Sequence, residues 1–550
     1  MTEVLFTLER PSMFEHGDYA TNVALVAAKI LKKNPKEVAE LIRTKIQEES
    51  LGSVEKIEVA GAGFLNFFLS RAAVIAEVEK AARDESWGRN ELYKGKTVMV
   101  EYTDPNPFKE FHIGHLMSNT IGESIARLLT SAGAKVTRAN YQGDVGLHVA
   151  KAIHGMQVTK NRPDNSAPLS ERAAWLGSAY TAGSHAYDSN PEIKVEIDAL
   201  NRVVYEKSNP EINALYDWGR EVSLSHFEDI YKMLGTTFDF YFFESEMAAP
   251  AVRLVKEHLG GVFEESRGAL VYAGEKKGLH TRVFVTSLGL PTYEAKELAL
   301  AFAKEEKQQS DELIVVTANE INEYFRVVLA ALGEISPTLA AKICHVGHGF
   351  LKLTTGKMSS RKGNVITGES LLADLQQVAT KKVGEREVAN AYKVAEQVAV
   401  GAIKYAVLKQ GSGKDIIFDP EKSLSLEGDS GPYLQYARVR ALSLIDKARK
   451  AEVSDELINL EDIKVFVTAL TLDRLLIHFP ETIERAVKEL QPHYVTTYLI
   501  ELASLFNSWY ATERLIGGRY PSYALLLTEA VERTLIKGLM VLGIPVPEEM

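Results

Sequence analysis

The sequence predicts an α/β protein: a parallel sheet in the middle of the chain, a smaller α+β region before it and an all-helical region after it. Three observations carry this. Thr97-Val98-Met99-Val100-Glu101-Tyr102-Thr103 is a β-branched, apolar run suited to a buried strand, and the turn residues Asp104-Pro105-Asn106-Pro107 stop it. From His112 onward Leu116, Ile121, Ile125, Leu128 and Leu129 recur at helical spacing until Ala132-Gly133, and Lys135-Val136-Thr137 opens another apolar stretch. Far behind them, apolar stripes at helical spacing run from Tyr433 to Ala448, Val465 to Phe479 and Tyr494 to Ile516.

The strand, loop, helix and strand around His112 form the building unit of a Rossmann-type sheet. Ahead of it, residues 1–94 mix helical segments from Ala20 to Lys33 and from Pro35 to Glu48 with a short strand around Ile57 to Ala60, and Trp87 to Lys96 marks a boundary. The sheet domain is expected over residues 95–410, interrupted by an insertion at about 148–278. Within it Asn161 to Asn190 is rich in Pro, Asn, Ser and Gly, the composition that marks the insertion. Residues 411–550 form the helical part. No fixed-period repeat or low-complexity tract is seen.

Composition narrows the class. A chain of 550 residues with 46% apolar residues can bury the cores of about three domains. The single cysteine, Cys344, excludes a disulfide framework or a cysteine-rich zinc site and fits a reducing compartment. No apolar run reaches the roughly 18 residues that a membrane span needs. The first residues carry Glu3, Glu9 and Glu15 and no leader pattern, so the cytoplasm is expected. The net charge of −11 speaks against a polyanionic partner, but cations cluster locally, at Lys29, Lys32, Lys33, Lys36, Arg43 and Lys45 and again at Arg438, Arg440, Lys447, Arg449 and Lys450.

Two motifs carry chemistry. His112-Ile113-Gly114-His115 stands at the first turn of the expected helix, where unpaired N–H groups and the helix dipole favour an anion. Gly114 leaves a face without a side chain, against which a flat base or ribose can press. Gly356-Lys357-Met358-Ser359-Ser360-Arg361-Lys362-Gly363-Asn364 packs cations and hydroxyls between glycines, as suits a loop over a triphosphate whose leaving group gathers charge. Together, in this order and with a helical tail behind them, they point to adenylyl transfer from ATP.

These motifs resemble the HIGH and KMSKS signatures of class I aminoacyl-tRNA synthetases, and the flanking residues resemble arginyl-tRNA synthetases over nearly the whole chain. Glu15-His16-Gly17-Asp18-Tyr19-Ala20-Thr21-Asn22 and Ala60-Gly61-Ala62-Gly63-Phe64-Leu65-Asn66-Phe67 resemble that family's additional N-terminal tRNA-binding domain. Ser430-Gly431-Pro432-Tyr433-Leu434-Gln435-Tyr436-Ala437-Arg438 resembles the start of its all-α anticodon-binding domain, and Leu542 to Met550 resembles its C-terminus.

The resemblance implies a reaction and residues for it. Arginine and ATP would give arginyl-adenylate and pyrophosphate, and the arginyl group would pass to tRNA(Arg). ATP would meet His112, Gly114, His115, Lys357, Met358, Ser359 and Ser360, with Mg²⁺ shared among its phosphates and no separate protein metal site. Ser360 stands where the general pattern has a lysine; Lys109 fits the upstream lysine that the family uses instead, with Lys357, Arg361 and Lys362 as loop cations. Arginine would be held by Glu101, Asn106, Tyr293 and Glu297, the last an aspartate in most of the family, since a guanidinium fork needs carboxylate partners. Asn319 or Glu320 is a further candidate for the pocket. For tRNA, the candidates are Phe64 and Asn66 near the start and Tyr433, Arg438, Phe506, Asn507, Trp509 and Tyr510 in the tail. A monomer is expected. Such a hydrogen-bonding pocket needs no editing domain, so the insertion need not be hydrolytic.

Rival readings are weaker. A nucleotidyltransferase making a dinucleotide or pantetheine cofactor can carry the first motif but is short and lacks a helical tail. A catalytically silent synthetase-like RNA-binding protein would lose the signatures, which are intact here. Specificity for another amino acid, chiefly cysteine, is opposed by the lone Cys344, which cannot build a thiolate-rich zinc pocket.

Overall fold

The structure, a computed structural model, describes residues 5–11, 13–49, 51–354, 367–384, 390–453, 467–518 and 520–550. The chain divides into two compact units, one made of residues 1–89, 436–483 and 497–538 and the other of 90–435, 484–496 and 539–550.

The larger unit is built on five parallel strands: β1 (Thr97–Glu101), β2 (Lys135–Gln142), β3 (Phe240–Phe243), β4 (Glu312–Ala318) and β5 (Ile343–His348). Their spatial order is β5-β4-β1-β2-β3. The chain winds outward from β1 through β2 to β3 and then returns to the other side of β1 for β4 and β5. A crevice therefore opens beyond the C-terminal ends of β1 and β4, where the winding reverses. The strands are apolar along their length, Val98, Met99 and Val100 of β1 and Leu313 to Val316 of β4 being buried, as expected of strands covered on both faces.

Helix α1 (Ile113–Ser131) follows β1, as the periodicity predicts. Between β2 and β3 lies a helical insertion of α2 (Leu147–Val158), α3 (Leu169–Ser189), α4 (Pro191–Glu206) and α5 (Pro210–Leu234). The Pro-, Asn-, Ser- and Gly-rich stretch from Asn161 to Asn190 is thus largely helical. Its small residues serve close helix packing: a β-carbon at Gly183 would lie 1.8 Å from the Lys151 carbonyl oxygen, and one at Gly155 equally close to that of Ala179. Its Asn-Pro pairs are helix starts. The Asn209 side chain accepts from the N–H groups of Glu211 and Ile212 at 2.9 and 3.2 Å, while Pro210 occupies the first helical position. After β3 come α6 (Glu244–Glu257), a small antiparallel sheet of Glu264–Ser266, Ala269–Tyr272 and Arg282–Val285, and α7 (Tyr293–Lys307), which leads into β4.

In the smaller unit the strands Leu8–Glu9, Tyr19–Thr21, Phe64–Leu69 and Val54–Ala60 lie antiparallel in that order. Helices Val23–Leu31 and Pro35–Glu48 cover them, around Ala24, Ala28, Val38, Ala39, Ile57 and Leu65. The expected helix start at Ala20 shifts because Tyr19–Thr21 is drawn into the sheet, Ala20 pairing with Asn66, and the buried Asp18 carboxylate accepts the Leu69 N–H at 2.8 Å. Beyond residue 411 the described residues are mostly helical: Gly431–Lys450, Val467–Leu476, Phe479–Glu489, His493–Thr512 and Pro521–Val541. Among the described residues no helix is long and apolar enough to cross a membrane.

Candidate active site

A cleft of about 300 Å³ opens beyond the C-terminal ends of the parallel strands. The end of β1 gives it Glu101 and the loop after it Asp104 and Asn106; the start of α1 gives His112, Gly114 and His115; β2 and the residue after it give Tyr141 and Gly143; α6 gives Glu244; α7 gives Tyr293 and Glu297; β4, β5 and the turns after β4 give Thr317, Glu320 and His348.

The two histidines cap α1 reciprocally. His112 Nδ1 accepts the Gly114 N–H at 3.0 Å, and His115 Nδ1 accepts the His112 N–H at 3.3 Å. Their rings stack with centroids 3.7 Å apart. Burial, then His112 and Lys109, holds the His115 imidazole well below the usual histidine range, and burial, then Lys109, lowers that of His112. Both rings are therefore neutral near pH 7. With Nδ1 accepting, each proton sits on Nε2, which leaves a donor at a helix N-terminus, a neutral counterpart for phosphate or ribose oxygens.

The opposite wall is acidic. Glu101, buried at the end of β1, is paired with Lys304 of α7 at 2.7 Å. Glu244 is paired with Lys296, and both are buried. Asp104 accepts the Tyr141 N–H at 2.8 Å, yet burial and then Glu101 raise its carboxyl well above the usual range. Glu297 is raised to about 7, by burial first and by Glu101 and Glu244, with Lys304 opposing. Four carboxylates thus face two lysines, each lysine already matched. The buried Tyr141 hydroxyl has no hydrogen-bond partner among the described residues. Such a pocket favours a cationic ligand with many N–H donors, because Glu297 and Asp104 hold protons that a bound cation would displace.

The sequence family can be placed against this geometry. Residues 77–420 match the model of tRNA synthetases class I (R), catalytic domain; residues 2–69 match the arginyl tRNA synthetase N terminal domain; residues 434–550 match the DALR anticodon binding domain. The arginine–tRNA ligase of Lactobacillus delbrueckii is 31% identical, over 99% of this chain and 95% of the relative, and that of Limosilactobacillus reuteri is 31% identical over 100% and 96%. The chain belongs to the arginyl-tRNA synthetase family. Among solved structures, arginyl-tRNA synthetase from Thermus thermophilus has a TM-score of 0.80 at 26% identity, covering 99% of this chain and 96% of that one. The Plasmodium falciparum enzyme, at 21% identity and a TM-score of 0.78 over 100% of this chain and 95% of its own, shows the fold alone.

The cleft lies inside the stretch that matches the family's catalytic domain, and it gathers Glu101, Asn106, His112, Gly114, His115, Tyr293, Glu297 and Glu320 from the residues expected there. One expectation changes: Glu101 does not have its charge free for a substrate, because Lys304 occupies it. Lys109 stands outside the lining, half-buried, with Nζ 5.8 Å from the centre of the Tyr180 ring. Lys357, Met358, Ser359, Ser360, Arg361 and Lys362 lie outside the described residues. Just past them, Thr367 bridges to His112, and the Gly368 N–H donates to the Phe111 carbonyl at 2.8 Å.

Of the tRNA candidates, Phe64 is 38% exposed but Asn66 is buried in the sheet, where it cannot read a base without the strand opening. Phe506 and Trp509 are core residues, and Arg438 is buried against Glu532 at 2.9 Å. In this arrangement none of the three offers a face to RNA, because the apolar helix face that suggested a platform is the face that packs. Tyr433 is half-buried, Asn507 accepts from Arg440 at 2.6 Å, and Tyr510 is 36% exposed.

Sequence reasoning missed Asp104, Glu244, Lys296 and Lys304. For the last there was a signal: Lys304 lies seven residues after Glu297, two turns along the same helical face.

Proposed function

We propose that the protein is an arginine–tRNA ligase that activates L-arginine with ATP and transfers it to the 3′ end of tRNA(Arg). The observation that carries this reading is the acidic wall in carboxylate excess beside the neutral histidine pair. An arginine carboxylate oxygen attacks the α-phosphorus of ATP, pyrophosphate leaves with the electrons of the broken P–O bond, and the adenylate then yields its arginyl group to the terminal ribose of tRNA. No enzyme nucleophile is needed, so the residues act by position and charge. His112 and His115 donate from Nε2 to phosphate and ribose oxygens, and Gly114 lets the nucleotide lie close. Lys109 serves the α-phosphate, and Lys357, Met358, Ser359, Ser360 and Lys362 serve the leaving pyrophosphate. Asn106 meets the amino end of arginine, while Tyr293 and Glu297 meet the guanidinium. Glu101, fixed by Lys304, shapes the field behind Glu297 instead of touching the substrate. Mg²⁺ enters as part of the substrate, on the triphosphate.

The reading also takes residues 1–94 and 411–550 as the RNA-binding parts around a catalytic domain of 95–410, with Phe64 and Tyr433 as the RNA-facing residues, in a monomer acting in the cytoplasm. ATP–pyrophosphate exchange measured with each of the twenty amino acids, with and without total tRNA, tests the core of it. Exchange with arginine and formation of arginyl-tRNA are expected; charging with another amino acid and none with arginine overturns it.

A further inference from the structure

The loop between β1 and α1 is strained. Thr103, Asp104 and Phe108 hold left-handed φ values of 82°, 48° and 70°. Such a backbone is disfavoured for any residue with a side chain and persists only where the surroundings over-determine it. At Phe108 the surroundings are the helical insertion. Its buried ring stacks on Tyr216 of α5 with centroids 5.8 Å apart. The ring lies over Gly219, one turn on, where a β-carbon would come within 2.3 Å of it. Its N–H donates to Ser223 Oγ at 2.9 Å, a further turn along the same helix. One face of α5 is thus cut to hold one strained residue.

The next residue is Lys109. Its side chain reaches α3, and Tyr180 supports the ammonium with its ring face, 5.8 Å from Nζ to the centroid. Lys109 makes no ion pair among the described residues, whereas neighbouring Lys151 has Asp188 at 3.6 Å and the Tyr187 ring at 4.2 Å. Burial, then Lys151, lowers the Lys109 ammonium below the usual lysine range. A cation steadied by an aromatic face keeps its charge for an incoming anion; one paired with a carboxylate would have to give that partner up.

We propose that the helical insertion, residues 147–234, is a clamp that holds Lys109 in place for the activation step, with α5 fixing the strained Phe108 and Tyr180 of α3 acting as the positioning residue for the ammonium. This rests on the reading of Lys109 as the α-phosphate cation. It gives the insertion a part in activation without any chemistry of its own.

Arginine-dependent exchange in four variants of the full chain tests it. Lys109→Ala should lower kcat by about 10²-fold, the loss typical of one transition-state donor. Tyr180→Leu should lower kcat by about three- to tenfold with the KM for arginine unchanged, and Tyr180→Phe, which keeps the ring face, should stay within about twofold of wild type. In the Lys109→Ala background, Tyr180→Leu should cost nothing further. A wild-type kcat for Tyr180→Leu, or an equal loss with Lys109 already removed, overturns the clamp while leaving the arginine assignment untouched. A wild-type rate for Lys109→Ala overturns the role of Lys109 and the clamp with it.

Discussion

Buried carboxylates are treated in opposite ways in the middle of α1 and in the cleft at its start. Midway along the helix, Glu123 receives Arg127 Nε at 2.6 Å, Arg138 Nε at 3.0 Å and the Tyr102 hydroxyl. Burial works against its charge, but Arg138 and Arg127 more than offset this and hold it below the usual carboxylate range. In the cleft, Lys304 and Lys296 match Glu101 and Glu244, which leaves Asp104 and Glu297 without a paired cation, and Glu297 is pushed up to about 7. Where the chain only has to stay folded, one acid meets two guanidinium groups. Where it has to bind, acid is left in excess. The deficit of cation, not the burial of charge, separates the site from the scaffold.

Removing the acid at each place should therefore have opposite consequences. Glu123→Ala leaves Arg127 and Arg138 without their shared anion. Their side chains are 32% and 20% exposed, so water relieves part of the penalty, and a loss of about 2–3 kcal/mol is expected, below that of a fully buried pair. Urea unfolding measures it, and an unchanged midpoint would remove the scaffold half of the comparison.

Glu297→Gln should leave stability equal or higher, since it deletes a charge that its neighbours oppose. It should raise the KM for arginine by about tenfold, equivalent to about 1.4 kcal/mol, with the KM for ATP nearly unchanged. If instead ATP binding weakens and arginine binding does not, Glu297 belongs to the nucleotide side and the cleft has been read backwards.

The parts of this site that could be read in the sequence were those with local signatures. His112 to His115 stand at a helix start, Asn106 in a turn, and Tyr293 and Glu297 one turn apart. The buried pairs were hidden because a pair such as Glu244 and Lys296 is separated by 52 residues and becomes a pair only through the packing of α6 on α7. The insertion could be read as an interruption of the sheet but not as helices, for a different reason. Glycine and asparagine are turn residues by propensity, yet here Gly183 of α3 and Gly219 of α5 let a carbonyl and an aromatic ring come close, and Asn190 and Asn209 start helices. Trp509 and Phe506 show the same limit, since helical spacing does not distinguish a ring that packs inward from one that waits for a base. The strand Tyr19–Thr21 was lost to a helical expectation because its partner in the sheet, Phe64–Leu69, lies some 45 residues further on and tertiary pairing overrides local preference.

The smallest expected effect is one of pH, and it separates the scaffold from the cleft again. A carboxyl raised from 4.5 to about 7 binds a proton in the folded state that the unfolded chain has already lost, so Glu297 makes stability fall as pH rises through that window. Glu123, held low, has the opposite sign: its contribution is complete above the usual carboxylate range and is lost only as pH falls through its own lowered value. Between about pH 6 and 8 Glu123 is therefore silent and Glu297 titrates. The groups facing Glu297 are Glu101 and Glu244, which favour the proton, and Lys304, which opposes it. Arginine brings a permanent cation that binds the ionised form, so its affinity should rise about five- to tenfold from pH 6 to pH 8, with a proton released on binding. Calorimetric titration with arginine in two buffers of different ionisation enthalpy reads both the affinity and the proton. A flat profile that becomes no flatter in Glu297→Gln would mean that Glu297 is already ionised in the empty cleft, and that the excess of acid is neutralised by a group outside it.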